Sequence, residues 1–580
     1  MARDFISFNL PGNTRQQARE RVVRIVIQAL HQQIYYAKGI LPPSLDPNRL
    51  VRVETLFEET STRTKKSSET AARRLGCDVM SGISVSESSL FKGESLEDTI
   101  MMLRQNCADL VVVRTKTEGV GLWLAREIRR TEGPKNWIRP GMSVVIGGEG
   151  TLFHNTQVML DIVSIVSCGL GVRNMDQYHI LEDIFQRSDA EKYLSERIVS
   201  ILDNLRLAFI GDAKYSRVAH SHVQLGKIFD IKFLFVGPKE FQPPSWWLKG
   251  VRASVSNNLS DAKDWDFCYF LRTQTERLTG TPTNPGIMSE REARRLIEPL
   301  HATLEFVESC RGMIMHAQPR DSRDPIVPDR LKDHEKSIIL MASAMGIPTR
   351  EAIYIDCYNH QHERGPVFEV PPFEFQMEWV SKREWWDEHH VQLVERYQGM
   401  QGIVQAIENG VAIDRLESDL VPVHDRILFE DGVFNQSKGG QILPGRNLDS
   451  PTMGRKKGTL WLFGHQISPE QAAKHGIISA CVRFSHMKRS GESTADERTK
   501  GYTRVEYPLP PYVNDTFDCL NSNCITRRST AVNPLFEVDG QKGLIGEDGW
   551  PTCGLTCVYC GHPMSVKDAV TNRYGHLIQG

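Results

Sequence analysis

The chain has 580 residues, several times the usual domain, so three to five domains are expected, each able to bury its own core. Its 70 lysines and arginines against 72 aspartates and glutamates leave no broad basic field for nucleic acid or an anionic membrane, so any anion must be held locally. The opening Met1-Ala2-Arg3-Asp4-Phe5 lacks the pattern of a leader peptide, and no run approaches the roughly 18 apolar residues of a membrane span, so a cytoplasmic protein is expected.

The first motif is Ser61-Thr62-Arg63-Thr64, followed by a stretch with Ala71, Ala72 and Leu75 at helical spacing. Small hydroxyl residues before a helix present free backbone N–H groups and a positive dipole end to an anion, and Arg63 adds a forked donor; a merely capped helix is the alternative. Ser88-Ser89-Leu90-Phe91-Lys92-Gly93-Glu94-Ser95 reads locally as a solvated loop. Short apolar runs at 109–114, 143–147, 205–211, 231–237, 267–271 and 312–315 alternate with helical periodicity, which implies parallel sheets covered on both faces, in two units meeting near residue 150. Arg114 ends one such run, where ligands of parallel sheets bind. Gly147-Gly148-Glu149-Gly150 then leads to His154-Asn155-Thr156-Gln157, and Gly211-Asp212-Ala213-Lys214-Tyr215-Ser216-Arg217 lies between a strand and a helix. Leu271-Arg272-Thr273-Gln274 and His316-Ala317-Gln318-Pro319-Arg320 each follow a strand.

These six motifs, in this order, resemble those of the aspartate and ornithine carbamoyltransferases. The resemblance implies two doubly wound parallel-sheet domains: 1–150 for carbamoyl phosphate and 151–360 for the amino acid, with the last helix returning to the first domain. It implies that carbamoyl phosphate is bound by Ser61, Thr62, Arg63, Thr64, Arg114, His154, Gln157, Gln318 and Pro319. Ser88 and Lys92 would be donated by a neighbouring chain of a catalytic trimer. Thr64, Arg114 and His154 would stabilise the oxyanion, and Lys92, Arg217, Arg272 and Gln274 would bind the amino acid. An ornithine enzyme needs an acidic group for the side-chain ammonium, and none stands at the Arg272 or Gln274 position, so aspartate is implied. No dedicated base stands in the motifs, and no catalytic metal is needed. Asn155 replaces the family's proline, while Ala317 and Gln318 replace its proline and leucine; Pro319 keeps the option of a cis peptide.

From His360 the text changes: Pro366, Pro371, Pro372, Trp379, Trp385 and Trp386 stand among charges, and a packed linker over 361–398 is expected. Short β-type runs at 458–463 and 477–484 suggest a small α+β domain over 399–505. Of 12 cysteines, seven are scattered among apolar neighbours and read as buried small hydrophobes. Five crowd into 519–560, and Cys519, Cys524, Cys557 and Cys560 form two short-spaced pairs, as a closed tetrahedral structural zinc site requires; Cys553 can compete. A β-rich zinc domain over 506–580, holding one zinc per chain, follows. Cys519 to Cys524, residues 404–414 and Met453-Gly454-Arg455-Lys456 resemble the regulatory polypeptide of aspartate carbamoyltransferase, which implies a ferredoxin-like domain. There Val404, Ala406, Ile407, Asp414 and Lys456 would contact a nucleotide effector. Leu460 or Trp461 stands near the place of a second lysine.

Overall fold

The described residues of this computed structural model are 4–8, 14–59, 61–80, 96–131, 141–275, 280–281, 284–285, 288–318, 325–360, 378–380, 410–433, 441–448, 453, 456–487, 502–505 and 507–578. They fall into two units, Met1–Glu369 and Val370–Gly580.

In the first unit, β1 (Arg52–Phe57), β2 (Asp78–Met80), β3 (Leu110–Thr115) and β4 (Ser143–Glu149) make a parallel sheet in the order β2-β1-β3-β4. β3 and β4 are buried along their whole length, which is why they read as continuous valine and isoleucine runs instead of alternating patterns. A second parallel sheet contains β5 (Arg206–Gly211), β6 (Lys232–Val236), β7 (Arg252–Ser256) and β8 (Phe267–Leu271). After a two-residue antiparallel pair, β9 (Gly280–Thr281) and β10 (Asn284–Pro285), β11 (Met313–His316) completes it in the order β11-β8-β5-β6-β7. Five strands of this unit, β1, β2, β7, β9 and β10, had no expectation in sequence. β1 carries the polar Glu54 and Thr55, and β7 is a largely exposed edge with little apolar content. In each sheet the strand order reverses beside the first strand, between β1 and β3 and between β5 and β8. Loops leaving the carboxyl ends there diverge and open a crevice.

The last helix of this unit, Gly346–Asn359, packs against the helices Arg15–Ala37 and Thr62–Arg74. Asp356 holds Arg21 at 2.9 Å and Arg24 at 2.7 Å, and Glu351 holds Arg74 at 2.6 Å. The two arginines beside Asp356 outweigh its burial and lower its pKa below the ordinary value.

In the second unit β12 (Glu378–Val380), β13 (Gly410–Glu417), β14 (Gln441–Leu448), β15 (Lys457–Phe463), β16 (Arg483–Met487) and β17 (Tyr502–Val505) form an antiparallel sheet. Its order is β12-β17-β16-β13-β15-β14. The helix Val421–Glu430 joins β13 to β14, and Pro469–Ile478 joins β15 to β16, which gives the split βαβ plait of ferredoxin-like domains with two added strands. One expected strand is corrected. Ile477 and Ile478 end a helix, and the strand begins only at Arg483, because Ser468 caps that helix with Gln471 and Pro469 starts it. A four-stranded antiparallel sheet closes the chain: β18 (Tyr512–Asn514), β19 (Leu535–Asp539), β20 (Gly554–Cys557) and β21 (Pro563–Ser565). The helix Val566–Ile578 follows it.

Among the scattered cysteines, Cys77, Cys268, Cys310 and Cys357 are buried as expected, but Cys168 and Cys481 are only half-buried and Cys107 is exposed. Cys107 sits in a tight turn at φ 64°, which turns it away from the core. The linker 361–398 lies outside the described residues except for β12, which pairs with β17.

Candidate active site and metal centre

The glycine-rich carboxyl end of β4 is the floor of the first crevice. Gly148 adopts φ +147°, and a Cβ there would stand 2.9 Å from Arg114 Nη1 and 3.2 Å from Arg217 Nη1. Gly147 admits the methyl group of Thr64 in the same way. This strand end therefore brings together Thr64, in the first turn of its helix and hydrogen-bonded to Ser61 (Oγ to Oγ1, 3.0 Å), Arg114 from the end of β3, and Arg217, the first residue of the helix that follows β5. Arg63 is exposed at the same helix N-terminus, where the Ser61 side chain makes no capping hydrogen bond.

Arg114 Nη1 donates to the Gly147 carbonyl at 3.1 Å and lies 3.3 Å from His154 Nε2. Burial, and then the charges of Arg114, Arg217 and Arg350, hold the His154 pKa well below its ordinary value, so the ring is neutral at physiological pH. Glu59 joins the two arginines: its Oε2 lies 3.4 Å from Arg114 Nε and accepts from Arg217 Nη1 at 2.9 Å. Sequence reasoning passed over Glu59, although it stands in the same loop as Ser61. A carboxylate shared by two guanidiniums marks a place for anions, since a ligand's carboxylate or phosphate oxygens can take the place of Glu59 between them.

Asn155 is buried and its amide donates to the Ile6 carbonyl at 2.6 Å, so it ties down the N-terminal segment. Gln157, one turn into the helix Asn155–Gly169, is half-buried. At the second crevice Asp212, buried after β5, accepts from the N–H of Tyr215 at 3.1 Å and from that of Gln274 at 2.9 Å. It thereby fastens the loop carrying Arg272 and Gln274 to the loop leading to Arg217. Within its motif Asp212 has no partner legible in sequence, because the contact that gives it a role spans 62 residues. Gln318 is half-buried beyond β11, while Ser88, Lys92 and Pro319 lie outside the described residues.

In the plait, Lys457 Nζ lies 3.0 Å from Asp414 Oδ1 and 3.2 Å from Oδ2, both side chains buried. Lys456 is exposed and Leu460 is buried in the core; Val404, Ala406 and Ile407 lie outside the described residues.

The four thiols Cys519, Cys524, Cys557 and Cys560 are buried, with all sulfurs within 4.8 Å of one another. Cys519 and Cys560 are 3.6 Å apart, and Cys524 and Cys557 3.8 Å. A tetrahedron with metal–sulfur bonds of about 2.3 Å has edges of about 3.8 Å, so the cluster fits a four-thiolate ion. Hydrogen bonding within the cluster lowers the Cys524 pKa and raises those of Cys519, Cys557 and Cys560, so a cation is needed for all four to become thiolates together. Cys553 stands apart, its sulfur 3.8 Å from the Ile477 carbonyl.

Residues 19–167 match the family described as aspartate/ornithine carbamoyltransferase, carbamoyl-P binding domain, and residues 511–570 match the metal binding domain of the aspartate carbamoyltransferase regulatory chain. The aspartate carbamoyltransferase catalytic subunit of Methanocaldococcus jannaschii is 30% identical over 306 residues, which cover 52% of this chain and 82% of that protein. The catalytic subunit of Brucella ovis is 30% identical over 299 residues, 51% of this chain and 77% of that one. Among solved structures, the M. jannaschii catalytic subunit is 26% identical with a TM-score of 0.46, over 63% of this chain and all of that one (100%).

Proposed function

The chain belongs to the aspartate carbamoyltransferase family, and from that premise we propose how its residues divide the work. The reaction passes the carbamoyl group of carbamoyl phosphate to the α-amino group of L-aspartate, giving N-carbamoyl-L-aspartate and phosphate in pyrimidine biosynthesis, here with a regulatory-type region fused behind the catalytic one. The observation that carries the proposal is the convergence of Arg114 and Arg217 on Glu59 beside a neutral His154.

Ser61, Thr62, Arg63 and Thr64 hold the phosphate at the helix N-terminus. The carbamoyl carbonyl lies toward Thr64, Arg114 and His154, and its NH2 toward Gln157, with the loop of Gln318 and Pro319 nearby. Arg217 and Arg272 hold the two carboxylates of aspartate, and Gln274 its amino group. The amine nitrogen attacks the carbonyl carbon and negative charge grows on the oxygen. Thr64 and Arg114 donate to that oxyanion, and neutral His154 adds a donor once Nε2 carries the ring proton. The C–O bond to phosphate then breaks, and the departing phosphate takes the amine proton. Ser88 and Lys92 of a neighbouring chain close the site in a catalytic trimer, Lys92 also reaching the aspartate carboxylate.

Zinc, one per chain, is the ion for Cys519, Cys524, Cys557 and Cys560, and ties the end of β20 and the turn after it to the segment from Cys519 to Cys524. In the plait, Asp414 is engaged by Lys457, and apolar Leu460 stands near the place of a second phosphate-binding lysine, so nucleotides act weakly or not at all. Steady-state assays with aspartate and ornithine as competing acceptors, with the carbamoylated product identified by mass spectrometry, test the activity. Carbamoylation of ornithine in preference to aspartate would overturn the acceptor assignment.

A further inference from the structure

Asp161 lies one turn beyond Gln157 on the helix Asn155–Gly169 and is buried. Its Oδ1 accepts from Gln157 Nε2 at 3.1 Å, and its Oδ2 accepts from the Tyr269 hydroxyl at 2.9 Å. His222 faces the same oxygen at 3.7 Å; its Nδ1 is taken by the Val218 carbonyl at 2.9 Å, and burial lowers its pKa to about 4, so it is neutral. Tyr269 stands in β8, three residues before Arg272. An ionised carboxylate only accepts hydrogen bonds, whereas a carboxamide has one accepting end and one donating end. When Asp161 takes the NH2 end of Gln157, the carbonyl end is left for the crevice.

From this geometry we infer that ionised Asp161 is a positioning residue that fixes the Gln157 carboxamide with its oxygen outward, so that the site then selects a ligand bearing NH2 rather than CH3 beside the reacting carbonyl. The inference rests on the proposed contact between Gln157 and the carbamoyl group. Tyr269 supports the arrangement by holding the other carboxylate oxygen, and it anchors the helix of the carbamoyl site to the strand that leads into the aspartate loop. Burial raises the Asp161 pKa to about 8, with Tyr269 and Gln157 opposing the rise, so the ionised form prevails at alkaline pH.

The probe is a pair of ligands: carbamoyl phosphate, and acetyl phosphate, in which a methyl group replaces the amide nitrogen. Binding of each to the full-length enzyme is measured by KM or competitive inhibition at about pH 9, where the carboxyl is ionised. Asp161→Asn is nearly isosteric, but it accepts from Tyr269 with its oxygen and donates to Gln157 with its NH2, turning the Gln157 carboxamide over. Two donors then face each other at the carbamoyl NH2, so affinity for carbamoyl phosphate is expected to fall about 10- to 100-fold, with acetyl phosphate changed less than about 3-fold. In a Gln157→Ala background the same substitution should add nothing. An equal loss for both ligands, or an undiminished loss in the Gln157→Ala background, would show a merely structural role and overturn the inference. Loss of preference in Gln157→Ala but not in Asp161→Asn overturns the orienting role alone, whereas a silent Gln157→Ala overturns the site reading and this inference with it. Should Asp161→Asn fail to fold, Tyr269→Phe keeps the ring and removes one donor from the carboxylate, raising its proton affinity. Preference for carbamoyl phosphate should then recover only at a pH higher than in the parent enzyme, and an unshifted profile would count against the inference.

Discussion

His154 shows how a single residue acquires its chemistry from its surroundings. A histidine in water is partly cationic near neutrality, but this one is buried beside Arg114, with Arg217 and Arg350 contributing, and a positive ring there would meet like charge without solvent. It therefore serves as a neutral hydrogen-bonding group rather than a cation. Arg114→Ala and His154→Ala are each expected to lower kcat by about 100- to 1,000-fold, the usual effect of losing a donor to a developing oxyanion. Rates of N-carbamoylaspartate formation with both substrates saturating measure this, and near-normal turnover in both variants would remove them from the mechanism.

Between elements, a directed chain of hydrogen bonds holds the two helices of the plait. Ser479 donates to Glu417, so its oxygen can accept from His424 Nε2 at 2.8 Å, which leaves His424 Nδ1 bare to accept from His475 Nδ1 at 2.8 Å. Both rings are fully buried. Burial, and then His475, lowers the His424 pKa far below its ordinary value, while burial and Lys474 lower that of His475 to about 3. Between that value and about 6.5 the unfolded chain binds more protons than the folded one, so stability rises with pH and is lost as pH falls through this window. Hydrogen exchange of peptides from Val421–Glu430 and Pro469–Ile478, corrected for intrinsic rates, should show weakened protection at about pH 5 relative to about pH 7. Unchanged protection would contradict the neutral pair. On the same sheet, the buried Lys457–Asp414 pair motivates a second expectation. Calorimetric titration with ATP, CTP and UTP should show no micromolar binding, and the aspartate response should stay flat, because a bound nucleotide shifts activity only through unequal affinity for two states.

For the whole molecule, the two halves should respond differently to metal removal. The first unit has an extensive apolar core, whereas the four-stranded sheet after residue 507 leans on four thiols, and structural zinc contributes on the order of 10 kcal/mol in small metal domains. Chelation should unfold the last sheet, seen as proteolysis within 507–578, while carbamoyl transfer persists. Metal analysis should give one zinc per chain, lost in Cys557→Ser and kept in Cys553→Ser; equal loss in both would contradict the ligand set. Sharing of sites between chains is tested by mixing inactive Lys92→Ala and Arg63→Ala chains. Hybrid trimers contain sites free of both lesions and should recover activity, and verified hybrids without recovery would show that each site belongs to one chain.

Sequence by itself determined the parts whose chemistry is local. Buried strands announce themselves as valine runs such as that of β3, a helix start by Ser61 and Thr62, and a metal by two pairs of closely spaced thiols. The match of order and motif extended this to the family. Tertiary structure alone decided which charges meet. Glu59 and Arg217 lie 158 residues apart, and Asp161 and Tyr269 lie 108 apart; nothing in the intervening text couples them. It likewise decided that Asp414 faces Lys457, that Cys553 turns to a carbonyl while its neighbours cluster, and that Asn155 anchors the N-terminal segment. Spacing along a chain fixes contacts only within a turn or a loop, whereas hydrogen bonds and ion pairs across hundreds of residues depend on how the sheets and helices pack.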